Sequence, residues 1–139
     1  MGRPFGLVIG VRRLSRPGCH RVTVTLGKPR RMKDGEDWEC PFRIDGLRSR
    51  RILYGYGVDA IQALTTALEG IRVTLEQNGK RLSWISGIPG DAGFERPVPR
   101  GLGLEFSRRL NRMVDREIAR FVRAQERRHA KRPRNSTKG

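Results

Sequence analysis

The stretch DAIQALTTALEGIRVTLEQNG, residues 59–79, determines the fold class of this chain. Its apolar residues recur at spacings of 3, 4, 3 and 4, the period of one face of an α-helix. They are Ile61, Leu64, Leu68, Ile71 and Leu75. Asp59 can cap the first turn, and Asn78 with Gly79 supplies a left-handed stop. The pattern therefore predicts an amphipathic helix that covers one face of a sheet. Gly70 lowers the helix propensity by about 1 kcal/mol relative to Ala, which we expect where a strand packs closely.

Four short segments before this helix predict strands: the first is a short apolar run, and the other three alternate between apolar and polar residues, as strands of a half-buried sheet do. They span residues 5–14, 21–26, 38–44 and 52–56, with turn signals at residues 16–18, 34–35 and 45–46. This order predicts an antiparallel meander. Pro41 cannot donate a ladder hydrogen bond, so we expect its strand at a sheet edge or at a bulge. Trp38, Tyr54 and Tyr56 share this alternation, which favours core packing over the alternative of a face that stacks nucleic-acid bases.

After the helix, residues 82–85 around Trp84 predict a fifth strand, and residues 86–103 form a long loop rich in Gly and Pro. The helical period returns from Leu104 onward. It places one broad apolar arc on a second helix: Phe106, Leu110, Met113, Val114, Ile118, Phe121 and Val122. We therefore predict an α+β fold, with an antiparallel sheet of four to five strands, one covering helix and a long basic C-terminal helix. Residues 1–106 would form the α+β domain, residues 107–130 a basic helix docked on it by the apolar arc, and residues 131–139 a disordered basic tail.

Charge is distributed very unevenly along the chain, whose net charge is +16. Residues 1–33 contain nine Lys or Arg and no Asp or Glu, and residues 107–139 contain twelve against three. Residues 34–106 contain nine bases and eleven acids. Because such a surplus repels itself unless something offsets it, a near-neutral body with two basic ends favours a polyanionic partner.

The predicted C-terminal helix contains the main candidate binding site. Six arginines recur at intervals of 3, 4, 4, 3 and 4 and fall on one narrow stripe away from the apolar arc. This arginine stripe comprises Arg109, Arg112, Arg116, Arg120, Arg123 and Arg127. The bland interpretation is a solvated helix face, since Arg outnumbers Lys by 25 to 5 throughout the chain. The functional interpretation is contact with a DNA or RNA backbone, without base specificity, because no helix-turn-helix or RNA-binding aromatic motif accompanies the stripe.

Three further interpretations remain open from the residues alone. A protein–protein module, for example of antitoxin or immunity type, would bind an acidic protein target. A basic amphipathic helix can also lie on an anionic membrane surface. An unrecognised hydrolase would use the glycine-rich loop of residues 87–94, with Asp91 or Glu95, although this loop lacks the Gly-Lys-Ser/Thr ending of a phosphate-binding loop.

The sequence predicts no catalytic residue, cofactor or metal site. Cys19 and Cys40 are too few for a four-thiolate zinc site, and His20 and His129 are the only imidazoles. No apolar run reaches the ~20 residues of a membrane span, so we expect no transmembrane segment and a cytoplasmic location. The sequence does not specify an oligomeric state.

Two short motifs carry a family resemblance. The run Tyr-Gly-Tyr-Gly-Val-Asp at residues 54–59 and the loop Gly-Asp-Ala-Gly-Phe at residues 90–94 resemble a small bacterial family of domains of unknown function. The resemblance covers roughly residues 20–100. It implies a stand-alone bacterial α+β domain, brings no catalytic residues, and does not include the arginine-rich helix.

Overall fold

The computed structural model describes residues 3–15, 21–78, 81–84 and 88–131. The chain divides into two compact units, Met1–Arg96 and Pro97–Gly139. The predicted α+β fold is confirmed: the first unit holds an antiparallel sheet with one helix, and the second holds one long helix. The unit boundary precedes the predicted domain end at residue 106. The predicted turn at residues 16–18 and all of the predicted tail of residues 131–139 except Lys131 lie outside the described residues. Docking of residues 107–130 on the first unit stays a prediction.

Six strands form the sheet in the described part of the chain, and every pair is antiparallel. They are β1 (Val8–Ser15), β2 (Val22–Gly27), β3 (Arg30–Arg31), β4 (Trp38–Asp45), β5 (Ile52–Gly57) and β6 (Ser83–Trp84). Along one side β4 pairs first with β3 and then with β2, and along its other side it pairs with β5. β1 joins the far side of β2, and β6 joins β1.

The position predicted for Pro41 is wrong, because β4 is an interior strand without a register shift. The ladder between β4 and β2 ends at Phe42, and the ladder between β4 and β3 begins at Glu39. Pro41 therefore lies in the gap between these two ladders, where the neighbour of β4 on that side changes from β2 to β3. Its missing N–H interrupts neither ladder. Its side chain is fully buried beside Gly27.

The first helix, α1 (Ala60–Gln77), begins where the sequence predicts. The Asp59 side chain caps it by accepting a hydrogen bond from the backbone N–H of Gln62 at 2.7 Å. Asn78 is the C-cap, and Gly79 lies outside the described residues. The prediction for Gly70 is also confirmed, since a Cβ there would lie 3.0 Å from Cζ of Phe42.

The buried face of α1 differs from the predicted leucine and isoleucine stripe. Ala63, Ala67 and Ile71 are fully buried, whereas Ile61 is 77% exposed. Glycines in β5 explain the difference: a Cβ on Gly55 would overlap the backbone of Ala63 and Ala67. The helix lies so close to this strand that only small side chains fit between their backbones. The larger residues Leu64 and Leu68 therefore flank the contact.

The core lies between α1 and one face of the sheet. Leu14, Val22, Val24, Cys40, Phe42, Ile44, Leu75 and Leu82 are buried there with the alanines of α1. Because side chains alternate along a strand, Tyr54 and Tyr56 lie on the opposite, outer face from Gly55. Their rings stack at a centroid distance of 6.2 Å, and Tyr56 is 52% exposed. Core packing was therefore the wrong prediction for Tyr56, while Trp38 does pack against the core.

Candidate nucleic-acid interface

The second helix, α2 (Leu104–Ala130), forms most of the described part of the second unit. Its 27 residues make a rod about 40 Å long. Gly103 is the N-cap residue of the helix, and its φ of +98° lies in a region that favours glycine. In the first turn, the Ser107 hydroxyl donates a hydrogen bond to the carbonyl of Pro99. Glu105 lies in the first turn, and Arg127, Arg128 and His129 lie in the last, each near the helix end whose dipole stabilises it.

All six residues of the arginine stripe are exposed on α2: Arg109, Arg112, Arg116, Arg120, Arg123 and Arg127. At ~100° per residue they fall within about 80° of the helix circumference, and the first and last are about 27 Å apart along the axis. The helix therefore arranges six guanidinium groups in one line, as the sequence period predicts.

Carboxylates neutralise very little of this stripe. Of the six arginines in the stripe, only Arg120 forms an ion pair with a residue that the structure describes, from its Nη1 to Oε1 of Glu117 at 3.1 Å. These side chains are 74% and 66% exposed, and such surface pairs contribute about 0–1 kcal/mol. Arg109 also lies over the ring of Phe106, 5.2 Å from its centroid. The stripe consequently keeps most of its positive charge.

The apolar arc of α2 is exposed as well. Phe121 is 64% exposed and Ile118 is 57% exposed, and Met113, Val114 and Val122 are each close to half exposed. Phe106 and Leu110 are partly buried. The described residues of the second unit thus leave the arc uncovered, and the helix presents a charged stripe and an apolar arc on different sides.

Two arginines in the basic N-terminal third of the chain share a carboxylate partner that the sequence patterns did not predict. The carboxylate of Glu39 is buried and accepts hydrogen bonds from Arg3 Nη1 at 2.7 Å and Arg30 Nε at 2.9 Å. Arg30 also donates from Nη1 to the carbonyl of Pro4 at 2.8 Å. Arg3 and Arg30 therefore fasten the N-terminal segment to the outer face of the sheet, and their charge is partly offset there.

Arg12 lies between two aromatic rings of the first unit. Its guanidinium carbon is 4.4 Å from the ring centroid of Trp84 and 4.6 Å from that of Phe94. Its Nη1 donates to the carbonyl of Gly93 at 2.5 Å. A similar but longer contact places Arg31 over Trp38 at 5.7 Å. The cation–π contacts of Arg12 attach the loop of residues 88–94 to the sheet.

Arg72 on α1 also forms ion pairs with carboxylates. It donates to Glu69 at 2.5 Å and to Glu76 at 2.7 Å, one turn of helix to either side. The hydrogen bond from Arg72 lowers the pKa of the Glu69 carboxyl. Both partners belong to the same helix, so the ion pairs of Arg72 stabilise α1 itself at the rim of the core.

Backbone N–H groups of the glycine-rich loop are hydrogen-bonded within the loop and to strand β6. The Asp91 side chain accepts from the backbone N–H of Gly93, and the Ser83 hydroxyl accepts from the N–H of Gly90, each at 2.7 Å. The N–H of Asp91 donates to the carbonyl of Ile88 at 2.9 Å. These three N–H groups are therefore not available to cradle an anion. Glu95 is exposed, and Gly87 lies outside the described residues.

The candidate thiol and imidazole groups do not converge on a site. Cys40 is fully buried, its thiol donates to the carbonyl of Gly27 at 3.3 Å, and burial raises its pKa to about 11. His129 is exposed in the last turn of α2, while Cys19 and His20 lie outside the described residues. Over residues 3–15, 21–78, 81–84 and 88–131, no three His, Cys, Asp or Glu side chains cluster in a way that could hold a metal ion.

These features define a small α+β domain followed by a basic amphipathic helix. The chain belongs to the family described as a domain of unknown function, DUF6968, which matches residues 11–96. This confirms the resemblance to a family of unknown function. The match covers nearly all of the first unit and none of α2.

Two other comparisons found no relative. No curated protein and no solved structure matches the chain. Among the helices that the structure describes, neither is long and apolar enough to span a membrane.

Proposed function

We propose that this protein is a non-enzymatic binding module that contacts the backbone of DNA or RNA through the arginine stripe of α2. One observation carries the proposal: six exposed guanidinium groups share one line, and of these six only Arg120 is paired with a carboxylate in the described part of the chain. Arginine suits this role because its planar fork binds phosphate oxygens in a bidentate way. Phosphate contacts carry no sequence information by themselves, so the binding is not base-specific.

The proposal makes a quantitative statement about salt. Each phosphate contact releases condensed counterions, so six contacts with duplex DNA give a log–log slope of about −5. The affinity then falls roughly a thousandfold between 50 and 200 mM salt. Fluorescence anisotropy of a labelled duplex, titrated with the full chain at several salt concentrations, measures this slope directly.

Two double variants that remove the same charge distinguish binding by the stripe from binding by the overall charge of the helix. Arg112→Ala with Arg116→Ala removes two members of the stripe, and Arg108→Ala with Arg128→Ala removes two arginines elsewhere on α2. We expect the first pair to flatten the slope by about 2 and the second to change it much less. Alanine keeps the helix propensity high in both.

Equal loss in both variants would contradict the stripe as the binding surface. Tight, salt-insensitive binding to one acidic protein, with only weak binding to nucleic acid, would instead support the protein–protein alternative. Parallel titrations with single-stranded DNA and with RNA of the same sequence identify which backbone is preferred.

The setting of this function is part of the proposal. We infer a bacterial, cytoplasmic protein, where nucleic acid is abundant and a buried thiol such as Cys40 stays reduced. Fractionation of a cell that expresses the tagged chain tests the location. Recovery of the protein outside the cytoplasm would contradict it.

A further inference from the structure

Strand β5 (Ile52–Gly57) is an edge strand of the sheet. It pairs along one side with β4, through six consecutive residue pairs from Ile52 to Gly57. Along its other side no strand pairs with it in the described part of the chain. Half of its backbone N–H and C=O groups therefore point away from the sheet.

This edge lacks the features that usually prevent two sheets from joining. Natural edge strands are commonly short, charged, interrupted by proline or twisted away by a bulge. The six residues of β5, ILYGYG, include no charge and no proline, and their register against β4 is continuous. Helix α1 covers one face of β5. Just beyond the end of the strand, the Gln62 side chain of α1 accepts a hydrogen bond at Oε1 from the backbone N–H of Val58 at 2.8 Å.

Apolar surface accompanies the open edge. Leu53 is 39% exposed, Tyr56 is 52% exposed and Val58 is 73% exposed. A further strand at this edge would cover part of each side chain, and cross-strand pairs of this kind contribute about 0.2–1 kcal/mol each. The edge thus offers both backbone hydrogen bonds and apolar contacts to an incoming strand.

The charged residues that flank β5 are complementary to those of a second, antiparallel β5. Arg51 precedes the strand and Asp59 follows it, each four residues from Gly55. Both Arg50 and Arg51 are exposed, as is Asp59. An antiparallel copy with its two-fold axis near Gly55 places each Arg51 opposite the other copy's Asp59, whereas a parallel copy would place arginines side by side.

We propose that β5 pairs antiparallel with β5 of a second copy of this chain, which joins the two sheets into one continuous sheet. A two-fold interface requires a self-complementary patch, and β5 with its flanking charges meets that requirement. This proposal concerns the first unit alone and does not depend on nucleic-acid binding by α2.

Sedimentation equilibrium of the full chain at 0.15 M salt, over a wide range of concentration, tests the proposal. The wild type dimerises, and Arg50→Glu with Arg51→Glu raises the dimer dissociation constant about tenfold, because the substitution at position 51 places a carboxylate opposite Asp59 and the one at position 50 adds a second carboxylate beside it. The control Lys28→Glu with Lys33→Glu makes the same change in net charge at exposed positions away from β5. General relief of repulsion would make both double variants dimerise more tightly, so weakening by the first alone supports pairing through β5.

Hydrogen exchange provides a second measurement that does not depend on the variants. Amide protons in residues 52–56 gain protection as the wild-type chain is concentrated, while those of α2 do not. The proposal is overturned by a chain that remains monomeric up to about 1 mM. A dimer whose dissociation constant is unchanged by the Arg50 and Arg51 substitutions also overturns it.

Discussion

Arginine occupies two different environments in the two units of this chain. In the first unit Arg12 lies between aromatic rings, Arg30 and Arg3 share the buried carboxylate of Glu39, and Arg72 binds two glutamates. In the second unit the six arginines of the stripe lie along α2, and among these six only Arg120 has a carboxylate partner in the described part of the chain. Net charge alone therefore does not distinguish paired from unpaired guanidinium groups; the contacts of each group do.

The largest expected effect comes from the contact that sets the distance between α1 and β5. Gly55→Val would place a branched side chain against the backbone of Ala63 and Ala67, so we expect a loss of about 3 kcal/mol in the free energy of unfolding. Urea denaturation measures it. The control Gly10→Ala, whose Cβ would have no neighbour closer than 4.0 Å, should stay within about 0.5 kcal/mol of wild type. Equal stability of both variants would contradict the close helix–strand approach.

A slightly smaller effect on the free energy of unfolding is expected when the pH is raised, because of the buried thiol of Cys40. The pKa of Cys40 is raised from 9.0 to about 11 in the folded state, so above pH 9 the unfolded chain releases a proton that the folded chain retains. Stability from this group is complete below pH 9 and falls as pH rises to about 11, by about 2–3 kcal/mol in total.

Cys40→Ser isolates this contribution, because a serine hydroxyl does not titrate in this range. We expect the free energy of unfolding of the variant to decline less steeply between pH 9 and pH 11 than that of the wild type. Identical pH profiles would show that the thiol is not buried as described.

Arg12→Ala tests the structural use of arginine in the first unit. It removes two cation–π contacts and one hydrogen bond to Gly93, so we expect a loss of about 2 kcal/mol in the free energy of unfolding. Arg13→Ala is the matched control, since the neighbouring Arg13 is exposed and lies on the opposite face of the sheet. If both substitutions cost the same, the position between the rings contributes nothing specific.

The smallest effect is expected at the ion pair of α2. Glu117→Gln removes the partner of Arg120, yet the free energy of unfolding should change by less than about 0.5 kcal/mol because both side chains are mostly exposed. Nucleic-acid binding should become slightly tighter, since a nearby negative charge is lost. Weaker binding in the anisotropy titration would mean that Glu117 orients Arg120 for contact.

Local patterns in the sequence predicted the elements well, because their causes are local. The Asp59 cap, the extent of α1 and the boundaries of β4 follow from periodicity and capping residues that lie next to each other in the chain. The line of arginines on α2 follows from the helical period in the same way.

Long-range contacts account for what the sequence patterns did not predict. Alternation in β5 assigns Tyr56 and Gly55 to opposite faces but does not say which face meets α1. The Gly-x-Gly spacing of Gly55 and Gly57 was the available signal, because two glycines on one face of a strand allow a helix to approach closely. Likewise, the use of Arg12 and Arg30 depends on aromatic and acidic groups far away in the chain.

The positions of the two tryptophans allow the two units to be followed separately in one unfolding experiment. Trp38 and Trp84, the only tryptophans, both lie in the first unit, each beneath a guanidinium. In contrast, α2 contributes 27 helical residues and α1 contributes 18. Intrinsic fluorescence therefore follows the sheet and its loop, while far-ultraviolet circular dichroism is dominated by the arginine-rich helix. Two midpoints that differ in the same titration would show that each unit unfolds independently of the other.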